Sequence, residues 1–219
     1  TITFITGTRA DYGKIKSLIL ELQKKKNKFK THLIITGMHL IKKYGHTKDE
    51  IDKDKIINCY RFNNQSKNMS MDITLAKTIK GINKFISNNK TDLIVVHGDR
   101  VESLAGAITG CLNNIKVAHI EGGEISGTVD EIIRHSISKL SHLHFVTNKI
   151  AKQRLLQMGE SNNNIFTIGS PDVDIILKKG LPNLNLVKKR YSIKFENYAI
   201  CIFHPVTTEL RKIEYQIKS

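Results

Sequence analysis

The sequence predicts a doubly wound α/β protein built around a parallel sheet. Strand-length apolar runs alternate with helical stretches along most of the chain, the pattern of strands joined by right-handed helical crossovers. The run from Asp92 to Val96 is apolar and β-branched without polar alternation, as a strand covered on both faces must be. The chain has 219 residues, 40% of them hydrophobic, enough to bury a sizeable core.

The elements follow in order. Ile2 to Thr6 is a short β-rich run that ends in a loop. Ile15, Leu18, Ile19 and Leu22 recur at three- and four-residue spacing and predict a helix. Lys24, Lys25, Lys26, Lys28 and Lys30 crowd its end, where cations suit the helix dipole. His32 to Thr36 reads as a second strand and Ile56 to Arg61 as a third. Leu75, Ile79, Ile82 and Ile86 share one face of a helix from Met71 to Ile86. After the Asp92–Val96 strand come helix Val101–Leu112, strand Lys116–Ile120 and helix Val129–Leu140. Strand Leu143–Thr147, helix Lys149–Met158 and strand Ile165–Ile168 complete the alternation. A domain boundary is expected near Gly169 to Pro171, followed by a short helix, a Gly180–Pro182 break and a linker-like helix. Tyr198 to Phe203 then reads as one further strand, leading through His204-Pro205 into a final helix. One such βα unit cannot cover both of its faces alone. The expectation is a second domain cut short soon after it begins.

Composition narrows the function. Lys and Arg outnumber Asp and Glu by 35 to 20, a net charge of +15. Only 6% of residues are aromatic, none is tryptophan, and no basic run carries interleaved aromatics for base stacking. The charge therefore reads as solvated lysines compatible with a phosphorylated small substrate, and no nucleic-acid partner is expected. No apolar run approaches the roughly 18–20 residues that cross a bilayer, and no charged segment followed by an apolar one opens the chain, so no membrane association is expected. Cys59, Cys111 and Cys201 are odd in number and unpatterned, which reads as free thiols in a reducing compartment, the cytoplasm.

In open α/β sheets ligands bind beyond the carboxyl ends of the strands. After the first strand comes Gly7-Thr8-Arg9-Ala10-Asp11-Tyr12-Gly13-Lys14. Five residues separate its glycines and Ile15 follows the lysine, so it lacks both the spacing and the magnesium-binding hydroxyl of a P-loop. It remains an anion-friendly turn at a helix N-terminus, with Arg9 and Lys14 at hand. The alternative makes Asp11 a first-turn helix carboxylate and the two cations surface charges. Two later strands end in His97-Gly98-Asp99-Arg100 and His119-Ile120-Glu121-Gly122-Gly123. Asp99 with Glu102 fits a helix N-cap, and Thr128 with Glu131 fits a capping box still better. Asp130 is not needed for that cap. Arg134 lies four residues from Asp130 and could simply pair with it. Glu121, between a buried strand and two glycines, lacks an evident structural partner. His204 sits at the mouth of the last expected strand, where an imidazole could meet a phosphate or cap the sheet edge. No metal-ligand spacing occurs.

These strand-end segments, with Ser126-Gly127-Thr128-Val129-Asp130-Glu131, Arg134-His135 and Phe203-His204-Pro205-Val206-Thr207-Thr208-Glu209, together resemble the UDP-N-acetylglucosamine 2-epimerase family. More narrowly they resemble its hydrolysing branch, which makes N-acetylmannosamine for sialic acid synthesis. Ala10-Asp11 stands where the non-hydrolysing branch has Pro-Glu. The resemblance implies the GT-B arrangement of two Rossmann-like domains facing a cleft. Residues 1–170 would form the N-terminal Rossmann-like domain, and 171–219 a linker and the start of a truncated nucleotide-binding domain. It implies a UDP-sugar substrate and a homo-oligomer, dimer or tetramer; no motif here suggests a redox cofactor. UDP would leave C1 as the C2 proton is removed, giving a glycal to which water then adds. Asp99, Glu121 and Asp130 match the family's catalytic positions, one of them with a raised pKa. Arg9, Lys14, Arg100, Arg134 and His204 are candidates to bind the diphosphate. The alternatives are a UDP-2,4-diacetamido sugar as substrate, a glycosyltransferase, a basic binding module and an inert fragment.

Overall fold

The computed structural model describes residues 1–45, 47–66, 69–177, 181–203 and 212–218. The strands are β1 (Ile2–Thr6), β2 (Thr31–Ile35), β3 (Cys59–Arg61), β4 (Leu93–His97), β5 (Lys116–Ile120), β6 (Leu143–Val146) and β7 (Ile165–Thr167). The helices are α1 (Arg9–Lys24), α2 (Lys48–Lys53), α3 (Met71–Ile86), α4 (Val101–Leu112), α5 (Val129–Lys139), α6 (Lys149–Gln157), α7 (Pro171–Ile176), α8 (Leu184–Arg190) and α9 (Ile213–Lys218). All seven strands form one sheet in the order β3-β2-β1-β4-β5-β6-β7, and every neighbouring pair is parallel. The strand order reverses between β1 and β4, the place where a doubly wound sheet opens a crevice at its carboxyl edge.

Alternate side chains of each strand enter separate cores, because successive residues point to opposite faces. Phe4, Leu33, Ile35, Val95, Ala118 and Ile120 meet Tyr12, Ile15 and Ile19 of α1. Ile5, Ile34, Ile94, Val96 and Val117 meet Ile82 and Phe85 of α3, Ala105 and Ala107 of α4, and Ile133 and Ile137 of α5. Fully burying each of these larger side chains contributes about 1.5–3 kcal/mol, which explains why both faces of the strands are apolar. Val146 and Ile165 pack on Ala151 and Leu155 of α6, a helix begun by the Asn148 side-chain Oδ1 accepting from Ala151 N at 2.9 Å.

Contacts divide the chain into one unit over Thr1–Lys178 and another over Lys179–Ser219. The short helix α7, expected beyond the boundary at residue 170, belongs to the first unit by these contacts. In the second unit the Asn183 side chain caps α8, accepting from Asn185 N at 2.9 Å. The strand expected over Tyr198–Phe203 does not form. Ile200 and Ile202 are 77% and 72% exposed; an isolated strand has no partner for its backbone groups and no sheet face to bury its side chains.

Candidate functional site

The site is built where β1, β4 and β5 end. Beyond β1 the chain turns into α1 through a capping box: the Thr8 hydroxyl accepts from Asp11 N, and the buried Asp11 carboxylate accepts from Thr8 N at 3.1 and 3.2 Å. Asp11 also accepts from Gly7 N at 3.1 Å and from the Thr6 hydroxyl. Burial raises the Asp11 pKa, and the bonds from Thr6 and Gly7 only partly oppose this. Asp11 is therefore the structural carboxylate that the helix-start reading expected. One turn on, α1 presents Lys14 over the end of β5.

Glu121 follows β5 in the left-handed conformation, with φ +61°. A non-glycine residue pays for that geometry, and such strain concentrates at functional positions. The turn brings its carboxylate under Lys14, whose Nζ donates to both oxygens at 2.9 and 2.7 Å. His97 Nε2, at the end of β4, lies 3.1 Å from Glu121 Oε2, and the Ser170 hydroxyl donates to Oε1 at 3.5 Å. Burial alone would raise the Glu121 pKa; His97 and Lys14 outweigh it and hold the group at about 2. Burial would lower the Lys14 pKa, but Glu121 and Asp172, 3.4 Å away, carry it upward. Glu121 is thus a fixed anion in the resting site, and the expectation of a raised carboxylate does not apply to it. Lys14 and His97 do the opposite of what desolvation would do.

Asp99 leaves the β4 turn just after Gly98 and forms an ion pair with Arg134 Nη2 of α5. The expected Asp99–Glu102 cap is absent: Arg100 occupies the N-cap position of α4 without a side-chain bond. Glu102 turns inward instead, 1% exposed, accepting from Asn64 and Gln65 side chains at 3.2 Å each. Its apolar stem and carboxyl fill the space beside Gly7 and Gly37 that a side chain there would need. The Thr128–Glu131 capping box is also absent. Thr128 accepts from Asp130 N at 3.3 Å, while the Glu131 carboxylate accepts from Ser126 N and Gly127 N at 2.8 Å each. Glu131 thereby ties down the loop between Glu121 and α5, because two backbone donors are nearer to it than the cap. Arg134 engages Asp99 rather than Asp130.

Thr8, Ala10, Asp11 and Lys14 form one wall of a cavity of about 210 Å³; His97, Gly98, Asp99, Arg100 and Glu121 form the other. This is below the about 300–1,000 Å³ that takes a whole drug-sized ligand. Of the residues picked from sequence, Asp99, Glu121, Lys14 and Arg100 line it, and Arg134 reaches it through Asp99. Arg9 is outside, with its side chain 72% exposed and paired to Glu50 at 3.3 Å. Asp130 is exposed on the first turn of α5, accepting from the Thr128 hydroxyl at 3.3 Å. His204 lies outside the described residues. His97 was the residue missed. It stood in a strand-end motif, but nothing local in sequence announces a contact with Glu121. Among the described residues no group of three His, Cys, Asp or Glu could hold a metal ion, and no helix is long and apolar enough to cross a membrane.

Fold and site define the class: a Rossmann-like α/β protein with a charged ligand crevice at the carboxyl edge of its sheet. The family model for UDP-N-acetylglucosamine 2-epimerase matches residues 21–218, and the chain belongs to that family. It is 49% identical over 208 residues to the UDP-N-acetylglucosamine 2-epimerase of Neisseria meningitidis serogroup B, covering 95% of this chain and 55% of that protein. It is 36% identical to the hydrolysing UDP-N,N'-diacetylbacillosamine 2-epimerase of Legionella pneumophila, covering 100% of this chain and 59% of that one. The Methanocaldococcus jannaschii UDP-GlcNAc 2-epimerase, solved with UDP-GlcNAc and UDP, aligns with a TM-score of 0.74 at 29% identity, over 88% of this chain and 53% of that one. The chain thus spans a little over half the length of these relatives.

Proposed function

We propose that this chain supplies the sugar-side half of a hydrolysing UDP-N-acetylglucosamine 2-epimerase, which converts UDP-GlcNAc to N-acetylmannosamine and UDP. The observation that carries this reading is the convergence of Asp99 and Glu121 from neighbouring strand ends on one cavity with Lys14 and Arg100. Elimination breaks the C2–H and C1–O bonds, the proton passing to a base and the bonding pair leaving with UDP. Water then adds hydroxyl to C1 and hydrogen to C2 on the other face. An ionised Glu121 can stabilise the cationic sugar as UDP departs, and it can accept the C2 proton if substrate draws Lys14 away. Displaced from Glu121, Lys14 would join Arg100 in neutralising the leaving diphosphate. Asp99, held by Arg134, is the second carboxylate for proton transfer. Asp130, Arg9 and His204 keep their proposed roles, in proton transfer for Asp130 and diphosphate binding for the other two. The sugar produced is the precursor of sialic acids, and a cytoplasmic homo-oligomer is the form proposed.

The likeness to a diacetylbacillosamine 2-epimerase along the whole chain supports a second reading, in which the UDP-sugar carries a further acetamido group at C4. NMR of the product formed in D2O by the full-length protein decides. Free N-acetylmannosamine with one deuterium at C2 supports the first reading. A free 2,4-diacetamido sugar formed only from the diacetamido substrate supports the second. A transferred glycoside, or protium kept at C2, overturns both.

A further inference from the structure

We propose that His119 is a positioning residue for this site, its two ring nitrogens holding the Gly98–Asp99 turn against α5. His119 lies on β5 and is completely buried. Its Nε2 is 2.7 Å from the Gly98 carbonyl oxygen; a carbonyl only accepts, so Nε2 carries the proton and donates. In the neutral ring Nδ1 is then an acceptor, and the Ser138 hydroxyl is placed 3.0 Å away to donate to it. Burial strongly favours the neutral ring. The Gly98 carbonyl works against this, and the positive charge of Arg134 reinforces burial.

Each contact lies next to a group of the site. Gly98 immediately precedes Asp99. Ser138 is one helical turn beyond Arg134, and the Arg134 carbonyl oxygen, 3.1 Å away, competes with His119 Nδ1 for its single hydroxyl proton. Asp99 and Arg134 form the ion pair that spans the same gap. Two residues beyond His119, just past the end of β5, comes Glu121. After it, Gly122 passes so close that a Cβ there would stand 2.8 Å from both His119 Nδ1 and Ser138 Oγ. One ring therefore braces the backbones that carry Asp99, Arg134 and Glu121. Filling space alone would be done as well by an apolar side chain; the two hydrogen bonds are what the histidine adds, and buried polar contacts of this kind fix geometry when fully satisfied.

The proposal rests on the epimerase reading for its kinetic test and on the ring itself for its structural one. In the full-length protein, His119→Leu removes both bonds at similar volume, while His119→Gln keeps an N–H that can reach Gly98. His119→Leu is expected to lower kcat about 10- to 100-fold with KM within about threefold, since misplacement of about 1 Å carries that cost. His119→Gln is expected to recover most of the loss. A folded His119→Leu with unchanged kcat, or a Gln variant as impaired as Leu, overturns the proposal. Should His119→Leu fail to fold, Ser138→Ala removes the Nδ1 contact, together with the hydroxyl's contact to the Arg134 carbonyl oxygen, and leaves the ring in place; a drop in kcat at unchanged KM supports the role, and wild-type kinetics refute it. Nitrogen-15 NMR of the imidazole reads the geometry without substrate. A neutral ring protonated on Nε2 between about pH 5 and 8 is expected, and a proton on Nδ1 overturns the assignment. If wild-type protein turns over neither UDP-GlcNAc nor the diacetamido UDP-sugar, the epimerase reading falls and the NMR result still decides the bracing role.

Discussion

Replacing Glu121 by Gln should change how stability depends on pH, because the resting site holds this carboxylate as an anion. Its pKa falls from an ordinary 4.5 to about 2. At about 1.4 kcal/mol for each tenfold change in proton affinity, that is roughly 3 kcal/mol of stability linked to ionisation. The side chain is 14% exposed, and water screens part of the attraction, so about 1–3 kcal/mol is expected. A depressed folded-state pKa means the stabilisation is complete above pH 4.5 and disappears as pH falls from 4.5 through about 2. Glu121→Gln has no such titration. Urea denaturation of both proteins, taken from about pH 6 downward, should show wild type ahead at the top of the range and the gap closing below pH 4.5. A gap independent of pH, or a Gln variant more stable near neutrality, would refute the placement of Lys14 and His97 around this carboxylate.

Other substitutions probe the rest of the site. Arg134→Met leaves Asp99 without its cation and should lower kcat by at least about tenfold; steady-state kinetics near the wild-type values would separate Asp99 from the chemistry. Arg9→Ala should weaken UDP binding by about two- to fivefold, the scale of one exposed charge contact, and equal affinity by calorimetry would leave Arg9 with Glu50 alone. Gly122→Ala drives a methyl to within 2.8 Å of His119 Nδ1 and Ser138 Oγ and should destabilise the fold by about 1–3 kcal/mol; an unchanged thermal midpoint would mean that the chain has room there.

The fold was legible because its physics is local. Apolar spacing marked α1 and α3, and the unbroken apolar strands marked a sheet covered on both sides. Helix α2 escaped because its sequence, Lys48–Lys53, is charged except for Ile51, so no periodicity announces it. The strand expected over Tyr198–Phe203 failed for the complementary reason: β pattern is only a fit to a sheet surface, and the second unit offers no ladder among the described residues. At the site, strand-end position picked out Lys14, Asp99, Arg100 and Glu121. Local spacing misled at Asp99 and Glu131, since a cap read from sequence competes with partners that only the tertiary fold supplies. Lys14 and Glu121 are 107 residues apart, and neither that contact nor the His97 and His119 contacts have a short-range signature.

The value of kcat for Glu121→Gln with UDP-GlcNAc, in the full-length protein, bears most directly on the idea that strand-end carboxylates act together on the sugar. A loss of at least about a hundredfold, the contribution of one acid–base or charge-stabilising group, is the predicted result. Turnover within about twofold of wild type would contradict it and remove Glu121 from the reaction.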